Sequence, residues 1–162
     1  MMTVSMTDSP QPVTNLARIM GLDIGDRRIG VAISDGLGLT AQPVFTLHRS
    51  NPREDIRSIA RLTRKHEATA IVAGLPLYIS GDLSPQAQKS QAFAQELAER
   101  TGLPLYFWDE RLTSHAAHEI LNTSGFGTTG RKAVIDQVAA VLILQGFLDA
   151  QRGPTLLPAQ NV

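Results

Sequence analysis

Cysteine is absent from this chain, which removes disulfides, thiolate metal sites and cysteine nucleophiles at once. Aromatic residues are scarce at 5%, with a single tryptophan, Trp108. Net charge is zero, so the chain has no overall basic excess of the kind common in nucleic-acid binders, and any such surface has to be local. The charge is in fact uneven: Arg18 to Lys65 carries nine Lys or Arg against five Asp or Glu, which leaves the remainder net acidic. Long apolar runs are missing too. The greasiest stretch, Ala133 to Leu144, is interrupted by Asp136 and Gln137 and falls short of the ~20 residues of a membrane-spanning helix. Met1 to Asn15 have neither the basic start nor the apolar block of about 7–15 residues that marks a secretory signal. A soluble, cytoplasmic protein without a membrane partner is expected.

The 162 residues, 43% of them hydrophobic, suit one domain with a proper core. Residues 1–16 are polar, contain proline and show no periodicity, so they read as a disordered leader. Residues 17–152 form the folded domain, and 153–162 an irregular tail. Two short apolar runs, Ile19–Ile24 and Ile29–Ser34, flank the turn-like Gly25–Arg27 and predict a β-hairpin. Val44–Leu47 supplies a third strand. Asn51-Pro52 followed by Glu54 announces a helix, with Ile56, Ile59, Ala60 and Leu62 on its apolar side. Ala70–Ala73 is a buried strand, Leu75–Ser84 a loop, and Pro85 opens a second helix that Gly102-Pro104 closes. Leu105–Trp108 is another strand. Thr113 caps a third helix, Ser124–Gly130 is a Gly/Thr-rich connection, and a last helix covers about Ala133–Ala150. Strands alternating with helices imply an α/β domain, a mixed sheet with helices packed on its faces.

Three carboxylates stand where carboxylates are expensive. Asp23 interrupts an apolar strand, Glu110 follows another, and Asp136 is one of two polar residues in a helix apolar on nearly every side. Desolvating an unpaired carboxylate costs roughly several kcal/mol, so such positions need a partner. In open α/β sheets, sites form beyond the carboxyl ends of strands, where Asp23 and Glu110 both fall. With Asp136 folded over the same region, three oxygen ligands converge, and Mg²⁺ or Mn²⁺ is the natural counter-charge. Each acid also has a plain structural account: Asp23 as a turn residue, Glu110 in a surface ion pair beside Asp109 and Arg111, Asp136 as a favourable charge at a helix N-terminus.

At these residues the chain resembles the YqgF/RuvX family of Holliday junction resolvases and pre-16S rRNA nucleases. The likeness covers Arg18 to Gln151 through four ordered segments: GLDIGDRRIGVAISD at Gly21–Asp35, GLPLYISG at Gly74–Gly81, DERLTS at Asp109–Ser114 and IDQVAAVLIL at Ile135–Leu144. The resemblance implies a ribonuclease-H-like three-layer fold with a mixed five-stranded sheet and helices on both faces. It also implies Asp23, Glu110 and Asp136 as a catalytic, metal-binding triad. The longer leader and a basic tract reduced to Arg131 and Lys132 depart from the family pattern.

The expected activity is divalent-metal-dependent hydrolysis of phosphodiesters in structured RNA or branched DNA, by a monomer or homodimer. Substrate contacts are expected from Arg27 and Arg28 after the first strand and from Leu75 and Pro76 in the loop, whose amides are available to phosphate. Arg111, with its bidentate fork, and Arg131 and Lys132 complete the set. Gly25 and Gly30 allow close backbone approach. Arg53, Arg57, Arg61 and Arg64 line one helix face, which reads first as solvated and second as a backbone track. The four histidines and Trp108 read as structural. Two rivals remain: a nucleic-acid-binding or ribosome-assembly factor without turnover, and an actin-like phosphotransferase suggested by Asp23-Ile24-Gly25.

Overall fold

The structure, a computed structural model, describes residues 4–5, 18–112 and 128–156, with side chains described for 18–111 and 137–151. Its central hairpin joins β2 (Arg18–Ile24) to β3 (Arg28–Ser34), closed where the Gly25 amide donates to the Arg28 carbonyl at 2.9 Å. β4 (Ala41–His48) continues the meander antiparallel to β3. On the other side of β2 lie β5 (Ala68–Leu75) and β6 (Leu105–Asp109), both parallel to it in direction. Parallel neighbours need crossovers. These are α1 (Pro52–Lys65), between β4 and β5, and α2 (Pro85–Thr101), between β5 and β6.

The caps are those that the residue types favour. Asn51 accepts from the Glu54 amide at 3.0 Å ahead of Pro52, and Ser84 accepts from the Ala87 amide at 3.0 Å ahead of Pro85. Gly102 closes α2 in the left-handed region, at φ 74°. A single 3-10 turn, Glu110–Leu112, follows β6. The last helix is α3 (Thr128–Leu156).

Alternation along the strands divides the core in two. Met20, Leu22 and Ile24 face α1 and α2, packing with Ile56, Ile59, Phe93 and Leu97. Ile19, Ala32, Ala70 and Val72 face α3, packing with Ala140, Ile143, Leu144, Phe147 and Leu148. The central strands are therefore apolar on both sides, as a sheet covered on both faces requires. This is the three-layer arrangement expected.

Three boundaries differ from the sequence reading. Val4–Ser5, inside the segment expected to be a disordered leader, forms a two-residue strand, β1, parallel to β6. It adds an edge to the five-stranded sheet, giving the order β1-β6-β5-β2-β3-β4. A strand this short carries no periodicity to read. α3 begins five residues earlier than expected and runs through Gly153 and Pro154 to Leu156, into the segment expected as an irregular tail. Only the turns that pack on the sheet leave an apolar pattern, so the helix ends beyond it are silent in sequence. The expected third helix from Thr113, with His115 and His118, lies outside the described residues, as do 124–127 and the rest of the leader.

Candidate active site

Strand parity puts Asp23 on the α3 side of the sheet, two residues beyond Gly21. Gly21 is where the last helix comes closest: a Cβ there would lie 2.7 Å from Leu144 Cβ and 3.1 Å from the Ala140 carbonyl oxygen. In the sheet, Asp23 pairs with Gly30, and Gly30 with Thr46. Thr46 Oγ1 in turn accepts from Gln137 Nε2 of α3 at 3.0 Å. The start of the packed part of α3 is thereby registered to the row that contains Asp23, and the backbone of Asp136 is the adjacent helical position. The side chain of Asp136 lies outside those described.

The backbone just after Asp23 is held from two directions. Gln86 Nε2 and Ser90 Oγ both donate to the Ile24 carbonyl at 3.1 Å. Arg49 Nη1 donates to the Gly25 carbonyl at 2.8 Å. Arg49 is itself fixed, its Nε 3.0 Å from the buried Asp55 and its guanidinium 4.8 Å from the centre of the Phe93 ring. The turn following Asp23 is a braced structure, so the strand end is well placed to carry a functional side chain.

Glu110 approaches from the opposite side. Tyr106 and Trp108 pack on the α3 face, and Glu110 continues that parity off the end of β6. Its side chain lies over Gly74 of β5, where the missing Cβ makes room: a Cβ on Gly74 would sit 2.8 Å from both Cγ and Oε2 of Glu110 and 2.5 Å from Ile143 Cδ1. Because β5 separates β6 from β2, a side chain lying over Gly74 reaches toward Asp23. The electrostatics register this approach. Burial, then the charge of Asp23, then that of Asp109, push the Glu110 carboxyl up to about 8 from its ordinary 4.5. Two partly buried carboxylates on one face, the charge of Asp23 raising the cost of ionising Glu110, form a donor set suited to a hard divalent cation. Of the expected triad, Asp23 and Glu110 are the two whose side chains are described. Among the described residues no group of three His, Asp or Glu stands together, as only two of these acids have described side chains.

The neighbouring loop departs from expectation. Arg111 does not reach freely into the groove: Nε and Nη2 grip Asp109, at 2.8 Å for Nε to Oδ2, and Nη1 donates to the carbonyls of Tyr78 at 3.4 Å and Ile79 at 2.9 Å. The guanidinium holds the Asp109 carboxyl below the usual carboxylate range. Leu75, expected to contact substrate, is 2% exposed, because its side chain belongs to the α1/α2 core. Pro76 has no amide to offer, and its carbonyl accepts from Ser84 Oγ. Several of the loop amides expected to meet phosphate are engaged internally, Leu77 with Leu75, Tyr78 with Asp82 and Gly81 with Tyr78. Arg27 is exposed on the turn and Arg28 is partly buried at the start of β3. The side chains of Arg131 and Lys132 lie outside those described.

Arg53, Arg57, Arg61 and Arg64 are exposed on α1, which covers the sheet face opposite the acids. A cleft of about 730 Å³ on that side, lined by Arg27, Arg49, Phe93 and Lys89 among others, contains none of the three acids. Trp108 lies close against α3 at Gly146 and is a packing residue. Gly74 is the contributor that sequence reasoning left out, whereas Asp109 entered it as the alternative partner of Arg111, which is the pairing observed. A glycine directly after the buried run Ala70–Ala73 is the available signal for the former, since it marks a close approach.

Comparison with known proteins agrees with this architecture. The matching family description, over residues 17–150, is RuvX: Holliday junction resolvase. A Myxococcus xanthus (strain DK1622) protein named "Putative pre-16S rRNA nuclease" is 47% identical over 137 residues, 85% of this chain and 91% of its own. A protein of the same name from Moorella thermoacetica is 48% identical over 132 residues, 82% of this chain and 94% of its own. Among solved structures, T. thermophilus RuvC in complex with Holliday junction substrate matches with a TM-score of 0.55 at 13% identity, covering 81% of this chain and 93% of that one. The fowlpox virus Holliday junction resolvase matches at 0.52 and 14%, covering 82% and 99%. At these identities the structural likeness shows the fold, which is ribonuclease-H-like. With that fold and a family match over residues 17–150, this chain belongs to the RuvX family.

Proposed function

We propose that this protein is a divalent-metal-dependent nuclease of the cytoplasm that hydrolyses phosphodiester bonds in structured nucleic acid. Asp23, Glu110 and Asp136 would be the residues that hold Mg²⁺ or Mn²⁺. One observation carries the reading: Glu110, just past the end of its own strand, lies over Gly74 of β5 and within the field of Asp23. A fold does not gather two carboxylates at this cost for stability, because like charges at close range oppose folding. When bound, the cation activates water and offsets charge on the phosphodiester oxygens.

The chain's own contribution is position and charge. Asp23 is fixed by the braced turn behind it, and Glu110 by the glycine gap beneath it. A cation there would draw in a polyanion that the acids alone do not attract, so substrate and metal are expected to bind together. Precursor 16S rRNA is the first substrate to test, given the names of the relatives at 47% and 48% identity, and four-way junction DNA the second, given the family description.

The test is a cleavage panel of structured RNAs, flaps and four-way junctions with Mg²⁺ or Mn²⁺, run beside Asp23→Asn. Cleavage by the unaltered protein, lost in a variant whose circular dichroism is unchanged, supports the proposal. Equal cleavage by the variant sinks the mechanism, and binding without turnover under any metal favours an assembly factor.

A further inference from the structure

The loop Leu75–Ser84 ends in two apolar side chains turned to solvent: Tyr78 is 53% exposed and Ile79 is 95% exposed. A lone exposed isoleucine needs no explanation. These two are adjacent, and the turn that presents them is tied down. The Tyr78 amide donates to the Asp82 carbonyl at 2.9 Å, and the Gly81 amide to the Tyr78 carbonyl at 2.8 Å. Leu77 and Leu83 form a bridge at the base of the tip, and Ser80 Oγ binds Asp82 Oδ2 at 3.1 Å. Arg111, locked by Asp109, holds the carbonyls of both Tyr78 and Ile79. Arg111 is the residue after Glu110, so the tip is coupled to the acid pair through one side chain.

We propose that Tyr78 and Ile79 form a rigid prong that contacts the bases of the nucleic acid cut at the neighbouring acids, so that interrupted duplexes bind in preference to continuous ones. The inference rests on the nuclease reading and names its substrate class. The largest apolar surfaces that a nucleic acid offers such side chains are the faces of its bases. A continuous duplex hides those faces in its stack. They are accessible at branches, bulges and single-stranded flanks, where a tyrosine ring can stack on a base and an aliphatic side chain can enter an opened step. A prong held in place before binding loses little freedom on contact. Arg111 acts as a positioning residue, since its donors are engaged by Asp109 and by the loop.

The experiment measures binding without turnover, using the full chain carrying Asp23→Asn. Fluorescein-labelled RNA duplexes of one sequence, continuous or interrupted by a three-nucleotide bulge, are titrated by anisotropy with Mg²⁺. The proposal expects tighter binding to the bulged duplex. Tyr78→Ala with Ile79→Ser should weaken bulge binding by roughly tenfold or more while leaving duplex binding in place. Tyr78→Phe with Ile79→Leu should retain the preference. Arg111→Lys, which keeps the charge but not the fork, should reduce the bulge-to-duplex ratio. Both substituted side chains are exposed, so the fold is expected to survive, as circular dichroism checks. An unchanged ratio in the Ala/Ser variant, or equal weakening toward both duplexes, overturns the prong and leaves the nuclease reading to its own Asp23 test. Loss of the ratio in the Ala/Ser variant, together with no cleavage by the protein that keeps Asp23, upholds the base contact and overturns the nuclease.

Discussion

A methyl group placed on Gly74 tests how Glu110 is aimed. The added carbon would sit 2.5 Å from Ile143 Cδ1 and 2.8 Å from Cγ and Oε2 of Glu110, whereas comfortable contacts need about 3.5 Å. Both neighbours have to give by roughly an ångström. Ile143 is fully buried, so its displacement is overpacking, which costs about 1–3 kcal/mol. Glu110 is partly exposed and can swing aside more cheaply. Its carboxylate then misses its place by about 1 Å, an error worth roughly 100-fold in rate. Ile143→Val separates the two effects, because valine has no Cδ1. Alone it should cost about 0.5–1.5 kcal/mol, and with Gly74→Ala less than the sum of the two, since one clash is gone. Urea denaturation reads the stability, and single-turnover cleavage at saturating Mn²⁺ reads the rate. The double variant should regain most of the stability that Gly74→Ala loses while staying about 100-fold slow. A rate that recovers in step with stability would refute the idea that Gly74 is there to make room for Glu110.

In the metal-free protein, Glu110 stays protonated up to about pH 8, while in the unfolded chain it ionises near its ordinary 4.5. The unfolded chain therefore binds fewer protons between those values, so stability should fall as pH rises from about 4.5 to about 8. Glu110→Gln should flatten that slope in chelator-treated denaturation series while abolishing cleavage. Gly21→Ala pushes a Cβ against Leu144 Cβ and the Ala140 carbonyl, neither of them a flexible end, and should cost about 1–3 kcal/mol with a fall of several degrees in Tm. Asp55→Asn weakens the grip on Arg49 and with it the brace on the Gly25 carbonyl, and should slow cleavage more than it changes metal-free stability toward urea.

The fold was readable where a residue type has one local use. Asn51-Pro52 and Ser84-Pro85 start helices, Gly25–Arg27 turns a hairpin, and the apolar runs are buried on both sides because helices cover both faces. Asp23 and Glu110 stood out because charge inside or beside an apolar run has to be compensated. What could not be read depends on neighbours distant in sequence. Gly74 matters because of a glutamate 36 positions later. Arg111 is committed to Asp109 and to a loop more than 30 residues upstream, a contact that no local pattern announces. Leu75 was misplaced for a related reason: the motif includes it, but strand parity sends its side chain into the core.

The central claim is that the carboxylates of Asp23, Glu110 and Asp136 meet at a shared cation. Anomalous scattering from crystals grown with Mn²⁺ addresses it directly. The account predicts a peak about 2.1 Å from an oxygen of each of the three side chains. A well-ordered peak elsewhere, or none at a Mn²⁺ concentration that supports cleavage, would contradict it.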